Sequence, residues 1–308
     1  MSASLRFPRP RPRDRHRLLL VVALTTVGLV AGGCDTLGSD VGNVFADIAP
    51  PSPRQAAEWA LDPWDAENRR RGTTLLANAP WGGSDVYVTM YRDRVENETD
   101  AQVLAISIRA LARWGTVDDA PAIATHLTHR SREVRWEAAR GLQRLHNPAV
   151  IGALTARLVD VDETPDIRLE SAVALGQYPA DRSFQALASA LDARELWLNV
   201  EAQRSLTLLT GEDFGLDRTA WLRWYDTASD PFANQQTFYF PTFSRPVRLT
   251  DHLVFWRPLN FETPAPPAGL RDDGARTTYG EDDESVAAPS TGPRSTYDDA
   301  NADAASSD

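Results

Sequence analysis

The sequence predicts an all-α fold: a short α-solenoid, an α-α superhelix of stacked helical hairpins, followed by an irregular aromatic segment and a disordered tail. Three observations predict it. A nine-residue segment recurs four times at nearly constant spacing, its apolar positions fall on one helical stripe, and helix-capping residues stand ahead of the copies. With 308 residues, 42 % hydrophobic and 24 % charged, the chain has ordinary material for one or two folded domains.

The four copies are Val103 to Leu111, Val134 to Leu142, Ile167 to Leu175 and Leu198 to Leu206, starting 31, 33 and 31 residues apart. Val103, Val134, Ile167 and Leu198 form an apolar column. Four residues on stand the small Ser107, Ala138, Ser171 and Ala202, and four further Leu111, Leu142, Leu175 and Leu206. Trp114, Leu145, Tyr178 and Leu209 add a large fourth column. On a helix these offsets put one apolar stripe on one face, and the small column lets a neighbouring helix come close. Between copies a second helix is marked by Ile123 and Leu127, Leu154 and Leu158, Leu187 and Leu191.

Caps fall where the hairpins require them. Thr99 with Gln102 reads as a capping box, and Ser131 as the cap of the next long helix. Asn147-Pro148 and Thr164-Pro165 each pair a cap with proline at the first helical position, and Asp181 and Asp217 read as further caps.

The segments carrying Val134-Arg135, Ala138-Ala139 and Leu142, and Ile167-Arg168, Ala172 and Leu175, resemble the second helix of HEAT repeats, closest to the short phycobilisome-lyase HEAT-like kind. The resemblance covers roughly residues 100–211. It implies a scaffold whose second helices line a concave, partner-binding face. It also keeps open an enzyme of the bilin-lyase type. Residues 54–98 read as atypical amino-terminal capping helices, with Trp81-Gly82-Gly83 as a break, and residues 99–230 as the repeats and their closing cap. Leu209-Thr210-Gly211 with Asp217, Trp221 and Trp224 resembles the end of HEAT-repeat lipoproteins associated with planctomycete-type bacteria.

The amino-terminal 33 residues form an address. Arg6 to Arg17 make a positive region, Leu18 to Val30 an apolar run of thirteen residues, shorter than the roughly 20 that a transmembrane helix needs, and Ala31-Gly32-Gly33 a small-residue ending. The single cysteine, Cys34, follows. This layout resembles a bacterial lipobox, with Ala31 where Leu is commonest. The resemblance implies cleavage before Cys34, acylation there, and lipid anchoring to a membrane on the exported side of the cell envelope, periplasmic or surface-facing. Residues 34–53 read as a flexible tether. A lone cysteine rules out an intramolecular disulfide.

Residues 231–261 read as an extended aromatic strap, laid on the last hairpins or exposed as a docking patch, and residues 262–308 as a disordered acidic tail. The net charge of −11 argues against nucleic-acid binding, which needs a basic surface.

Chemistry is sparse. His126 and His129 can share a helix face, but no third ligand has zinc-site spacing. Asp160, Asp162, Glu163 and Asp166 crowd one loop without the order of a calcium-binding loop. No phosphate loop or nucleophile elbow appears. The expectation is therefore no catalytic residues, no metal, no cofactor and no enzyme. The candidate partner-binding residues are the charged rows of the second helices: Arg135 and Arg168; Glu137, Glu170 and Glu201; Arg140 and Arg204, with Arg109 before and Val173 between. Rows of this kind also serve as Glu–Arg contacts between neighbouring helices. The expected function is a membrane-anchored scaffold for protein partners. The alternative from another class is a structural envelope protein that associates with itself.

Overall fold

Ser52 followed by Pro53 opens the first helix: the serine hydroxyl accepts from the Gln55 amide at 3.2 Å, and proline at the first position leaves no amide unpaired. The computed structural model describes residues 51–242 and 263–270. The expected signal peptide, Cys34, nearly all of the tether, residues 243–262 and the tail beyond Leu270 lie outside the described residues.

Eleven α-helices occur among the described residues: α1 (Pro53–Ala60), α2 (Ala66–Asn78), α3 (Asp85–Asn97), α4 (Ala101–Trp114), α5 (Ala120–Thr125), α6 (Arg132–Gly141), α7 (Ile151–Val159), α8 (Pro165–Leu175), α9 (Asp181–Ala190), α10 (Leu196–Thr210) and α11 (Arg218–Thr227). They stack in two layers. Helices α2, α4, α6, α8 and α10 pack in succession, and α3, α5, α7, α9 and α11 form the other layer. Among the described residues no strand forms, and no helix is long and apolar enough to cross a membrane.

The sequence columns are the core. Val103, Val134, Ile167 and Leu198 are fully buried, as are Ser107, Ala138, Ser171 and Ala202 and the leucine column from Leu111 to Leu206. The hydroxyls of Ser107 and Ser171 donate back to the carbonyls of Val103 and Ile167 at 2.8 Å, so each enters the interior satisfied. The fourth column departs from a helical stripe. Helices α6 and α8 end at Gly141 and Leu175, so Leu145 and Tyr178 stand in the turns beyond them. Tyr178 fixes this arrangement: its hydroxyl donates to the Leu145 carbonyl at 3.3 Å and accepts from the Asn147 amide at 3.1 Å.

Several caps shift. The cap of α4 is Asp100, not Thr99: its carboxylate accepts from the amides of Gln102 and Val103 at 2.9 and 3.1 Å. The Glu98 carboxylate takes the amides of Thr99 and Asp100, which draws Thr99 outside the helix. Ser131 and Thr164 occupy cap positions without a capping side-chain bond, and the Thr164 hydroxyl donates to Glu163 instead. Asp181 lies inside the first turn of α9, where it accepts from the Tyr225 hydroxyl. Asn147 and Asp217 cap as expected, accepting from the amides of Ala149 and Ala220.

At the amino-terminal end, Gly72 lets α2 close on α1, because a Cβ there would stand 2.2 Å from the Ala60 nitrogen. Arg94 of α3 reaches over both, donating to the Thr73 hydroxyl and the Ala60 carbonyl. At the other end, α11 closes the stack with the fully buried Trp221, set edge-on to Phe184 and Phe214.

Candidate interaction face

The charged rows divide by what they touch. Arg135 donates from Nε and Nη2 to Glu163 at 2.8 and 2.9 Å, and from Nη1 to the His129 carbonyl at 2.8 Å. Arg168, nearly buried, donates to the Leu158 carbonyl at 3.0 Å and stands 3.8 Å from Glu195 at the start of α10. Arg69 repeats the arrangement earlier, donating to Glu98 at 2.9 and 3.1 Å. Each arginine thus joins one second helix to the acid that precedes the next. Burial pushes the Glu163 and Glu98 carboxyls up, but the arginine and amide hydrogen bonds outweigh it and hold both below the usual range.

The other rows face the open side of the second-helix layer. Glu137 is buried and accepts two hydrogen bonds from Arg109 of the preceding repeat. Glu170, also buried, accepts from the Gln143 amide at 2.6 Å. Burial raises the carboxyls of Glu170 and Glu201, against the pull of Arg140 and Arg204 respectively. Arg204 is exposed, and Arg140 is half-buried with its guanidinium 5.0 Å over the Trp136 ring. Burial lowers the Arg140 pKa.

The segment after the stack lies across this same face. The Gln236 amide donates to the Leu208 carbonyl of α10 at 2.8 Å. Phe238 and Phe240 are buried against Val173, with Leu169, Leu208, Ala265 and Leu270 around them. Phe240 donates to Ala265 at 3.1 Å, and Ala268 pairs in parallel with Leu145, its amide and carbonyl joined to Arg144 and His146 at 2.8 Å each. Gly269, at φ +88°, sits so close to Val117 that a Cβ would meet Cγ1 at 2.2 Å. Two described pieces thus meet the stack, residues 236–240 at α8 and α10 and residues 265–270 as far as the turn after α4. The second piece lies in the stretch assigned by composition to the acidic tail. Tyr239 is exposed among the described strap residues, while the later aromatics Phe243, Phe255, Trp256 and Phe261 lie outside them.

Sequence reasoning named Arg109, Glu137 and Arg140 but missed Arg113, Arg144 and the groove they share beside the strap. Arg109, Arg113, Arg140 and Arg144 line a groove of about 110 Å³ with Asn78 and Glu137, across α2, α4 and α6. Arg113 lies 4.9 Å over Trp114, and Arg144 lies 4.5 Å over Phe240 of the strap. A signal existed. Extending the repeat alignment gives Arg109, Arg140, Val173 and Arg204 in one row, and Arg113, Arg144, Gln177 and Leu208 in the next. The first two repeats are basic where Val173 and Leu208 of the later repeats meet the strap.

The two histidines have other partners: His126 Nε2 is 2.8 Å from the Val95 carbonyl, and His129 Nδ1 accepts from the Ser131 amide. In the acidic loop, Glu163 is held by Arg135 and Asp166 by Arg132 at 2.6 Å. Among the described residues no group of three or more His, Cys, Asp or Glu is placed to hold a metal ion.

Paired helices in two layers, joined from repeat to repeat by the second helices, define an all-α HEAT-repeat solenoid. The family of HEAT repeats matches residues 90–164 and 120–207, together less than half of the chain. Among solved structures, the chain is similar to the complex of CpcE and CpcF of phycocyanin lyase from a Nostoc species, at 20 % identity and a TM-score of 0.44, covering 53 % of this chain and 66 % of that one. It thus spans just under two thirds of the length of that relative. It is also similar to an engineered protein, at 19 % identity and a TM-score of 0.41, covering 59 % and 91 % of the two chains. A third is YibA of Escherichia coli, at 15 % identity and a TM-score of 0.31, covering 57 % and 81 %. No curated protein matches significantly.

Proposed function

We propose that this chain is a lipid-anchored scaffold of the bacterial cell envelope that holds protein partners on the open face of its second helices and performs no catalysis. One observation carries the reading: that face already accepts extended polypeptide, since Gln236 and Ala268 of the strap bond backbone to backbone with Leu208 and with Arg144 and His146. HEAT repeats suit such a role because stacking builds a long surface from equivalent positions. The anchor rests on Cys34 behind its short apolar run. Acyl chains there would hold the body at the membrane, each buried CH₂ contributing about 0.8 kcal/mol.

The test is photo-crosslinking of the full chain in its native host, with the photoreactive residue at Arg204 on the open face or at the exposed Arg54 on α1. Protein adducts at position 204 and not at 54 are expected; equal or absent adducts would overturn the binding face. Intact-mass analysis of the membrane fraction tests the anchor, and an unmodified Cys34 in the mature chain would sink it.

A further inference from the structure

The two ends of the stack are finished differently. Each of the second helices α2, α4, α6 and α8 is followed by the next, and α10 is the last among the described residues. At the amino-terminal end α1 closes on α2 and turns Arg54, Gln55 and Glu58 outward, the polar outer surface that a terminal repeat needs. At the carboxyl-terminal end α10 does the opposite. Leu196, Trp197 and Val200 are 66, 45 and 47 % exposed, and they fall within roughly 100° of one helix side. The earlier repeats keep the Trp197 position polar, with Gln102, Glu133 and Asp166. The Val200 position is Leu169 in α8, three residues before Ala172 and seven before Gly176. That side of α8 receives α10: the Ser205 hydroxyl donates to the Ala172 carbonyl at 2.9 Å, and a Cβ at Gly176 would stand 3.0 Å from Ser205 Oγ. Val200, Gln203 and Thr207 hold the same positions on α10, so this side has the form that packs on another helix. The loop after α10 reaches only its later part, where Gln203 donates to Asp213 at 2.8 Å.

We infer that a second copy of this chain covers the surface: the two α10 helices pack antiparallel about a two-fold axis beside Val200, with Trp197 of each against Arg204 of the other. This goes beyond the scaffold reading and does not depend on it. The outer side of α1 is polar and offers no apolar counterpart, so the matching surface is the same one on a second copy. Such a self-complementary contact closes into a pair instead of growing into an open chain. Trp197 and Arg204 stand seven residues apart, about two turns, and so share one side of α10. Reversal about the point midway between them sets each exposed Arg204 guanidinium on the indole of the other copy. Glu201, one turn before Arg204, offsets its charge within the same chain. Val200 lies next to that midpoint and meets its own counterpart. The contact then has an apolar centre and a charged rim, the anatomy of specific interfaces.

The experiment is sedimentation of the full chain in density-matched detergent over a range of concentrations. A monomer–dimer equilibrium is expected. Val200→Glu, Trp197→Ala and Arg204→Glu should each weaken the dimer at least tenfold. Trp64→Ala, which removes an indole 93 % exposed in the turn after α1, should leave it unchanged; circular dichroism of each variant confirms the helical fold. A photoreactive residue at Val200 should give an adduct of two chain masses. A monomer at every concentration overturns the proposal, and so does a dimer that persists in Val200→Glu. Equal loss in Trp64→Ala, or assemblies that grow beyond two copies, would show an end-to-end contact and overturn it as well. A dimer that forms only after deletion of residues 243–262 would make that segment the occupant, with the same consequence. Adducts at position 204 with a mass other than two chains report the scaffold partner, so the scaffold reading stands or falls separately.

Discussion

Arg135 and Glu163, 28 residues apart, are joined by two parallel hydrogen bonds of 2.8 and 2.9 Å that tie α6 to the loop entering α8. Their side chains are 17 % and 3 % exposed, so the pair is shielded from solvent. Removing one partner leaves the other charge buried. Arg135→Ala should therefore destabilise the stack by roughly 3 kcal/mol in urea unfolding, with Glu163→Gln costing less because its amide still accepts a hydrogen bond. The pair also carries a pH dependence. The Glu163 carboxyl is held below its unfolded value, so its stabilisation is present above that value and lost as pH falls through the folded pKa. The acid-induced fall in stability should be shallower in Glu163→Gln than in the unaltered chain.

His146 gives a second pH signature. Burial pushes its pKa down to about 4, with the Gln177 hydrogen bond opposing, and its ring stacks on Tyr178 at 4.8 Å. A histidine buried neutral binds fewer protons than its unfolded counterpart, so stability falls as pH drops from about 6.5 toward 4. The difference corresponds to on the order of 3 kcal/mol across that window. Unfolding measured at pH 7 and pH 5 should differ less in His146→Gln than in the unaltered chain.

The leucine column is the main apolar support. Leu142 and Leu175 are fully buried, and truncating either to Ala should cost about 2–5 kcal/mol through lost contacts and the cavity left behind. Leu196, 66 % exposed, provides the contrast: Leu196→Ala should change stability by no more than about 0.5 kcal/mol. Thermal unfolding of the three variants checks the order.

Gly269 tests the strap. At φ +88° and with Val117 in the way, Gly269→Ala should lift residues 265–270 off the turn after α4. Hydrogen exchange should then quicken at the amides of Ala268 and His146, which bond to each other's chain segments, while the α8 core stays protected.

The repeat architecture was legible because its causes are local. The stripe from Val103 to Leu111 and its three copies need only the 3.6-residue period, and Asn147-Pro148 and Asp217 need only the neighbouring amides. Helix α1 was less legible: its cap Ser52 and first residue Pro53 stand in the proline-rich stretch that composition assigns to the tether. The interaction face was half legible. The Glu and Arg rows stand in the sequence, but nothing local says that Glu137 is buried under Arg109 while Arg135 turns to Glu163.

By itself, then, the sequence determined the class of fold, the hairpin spacing and the buried columns, since helical periodicity and capping act over a few residues. Tertiary structure alone decided the rest. It moved the cap from Thr99 to Asp100 through the carboxylate of Glu98, and it set Leu145 and Tyr178 in turns through a hydroxyl shared between repeats. It also laid Phe238 and Phe240 on Val173, leaving the basic rows of the earlier repeats beside them. Each of these depends on groups brought together across the stack, and no short-range rule reaches from Gly269 to Val117.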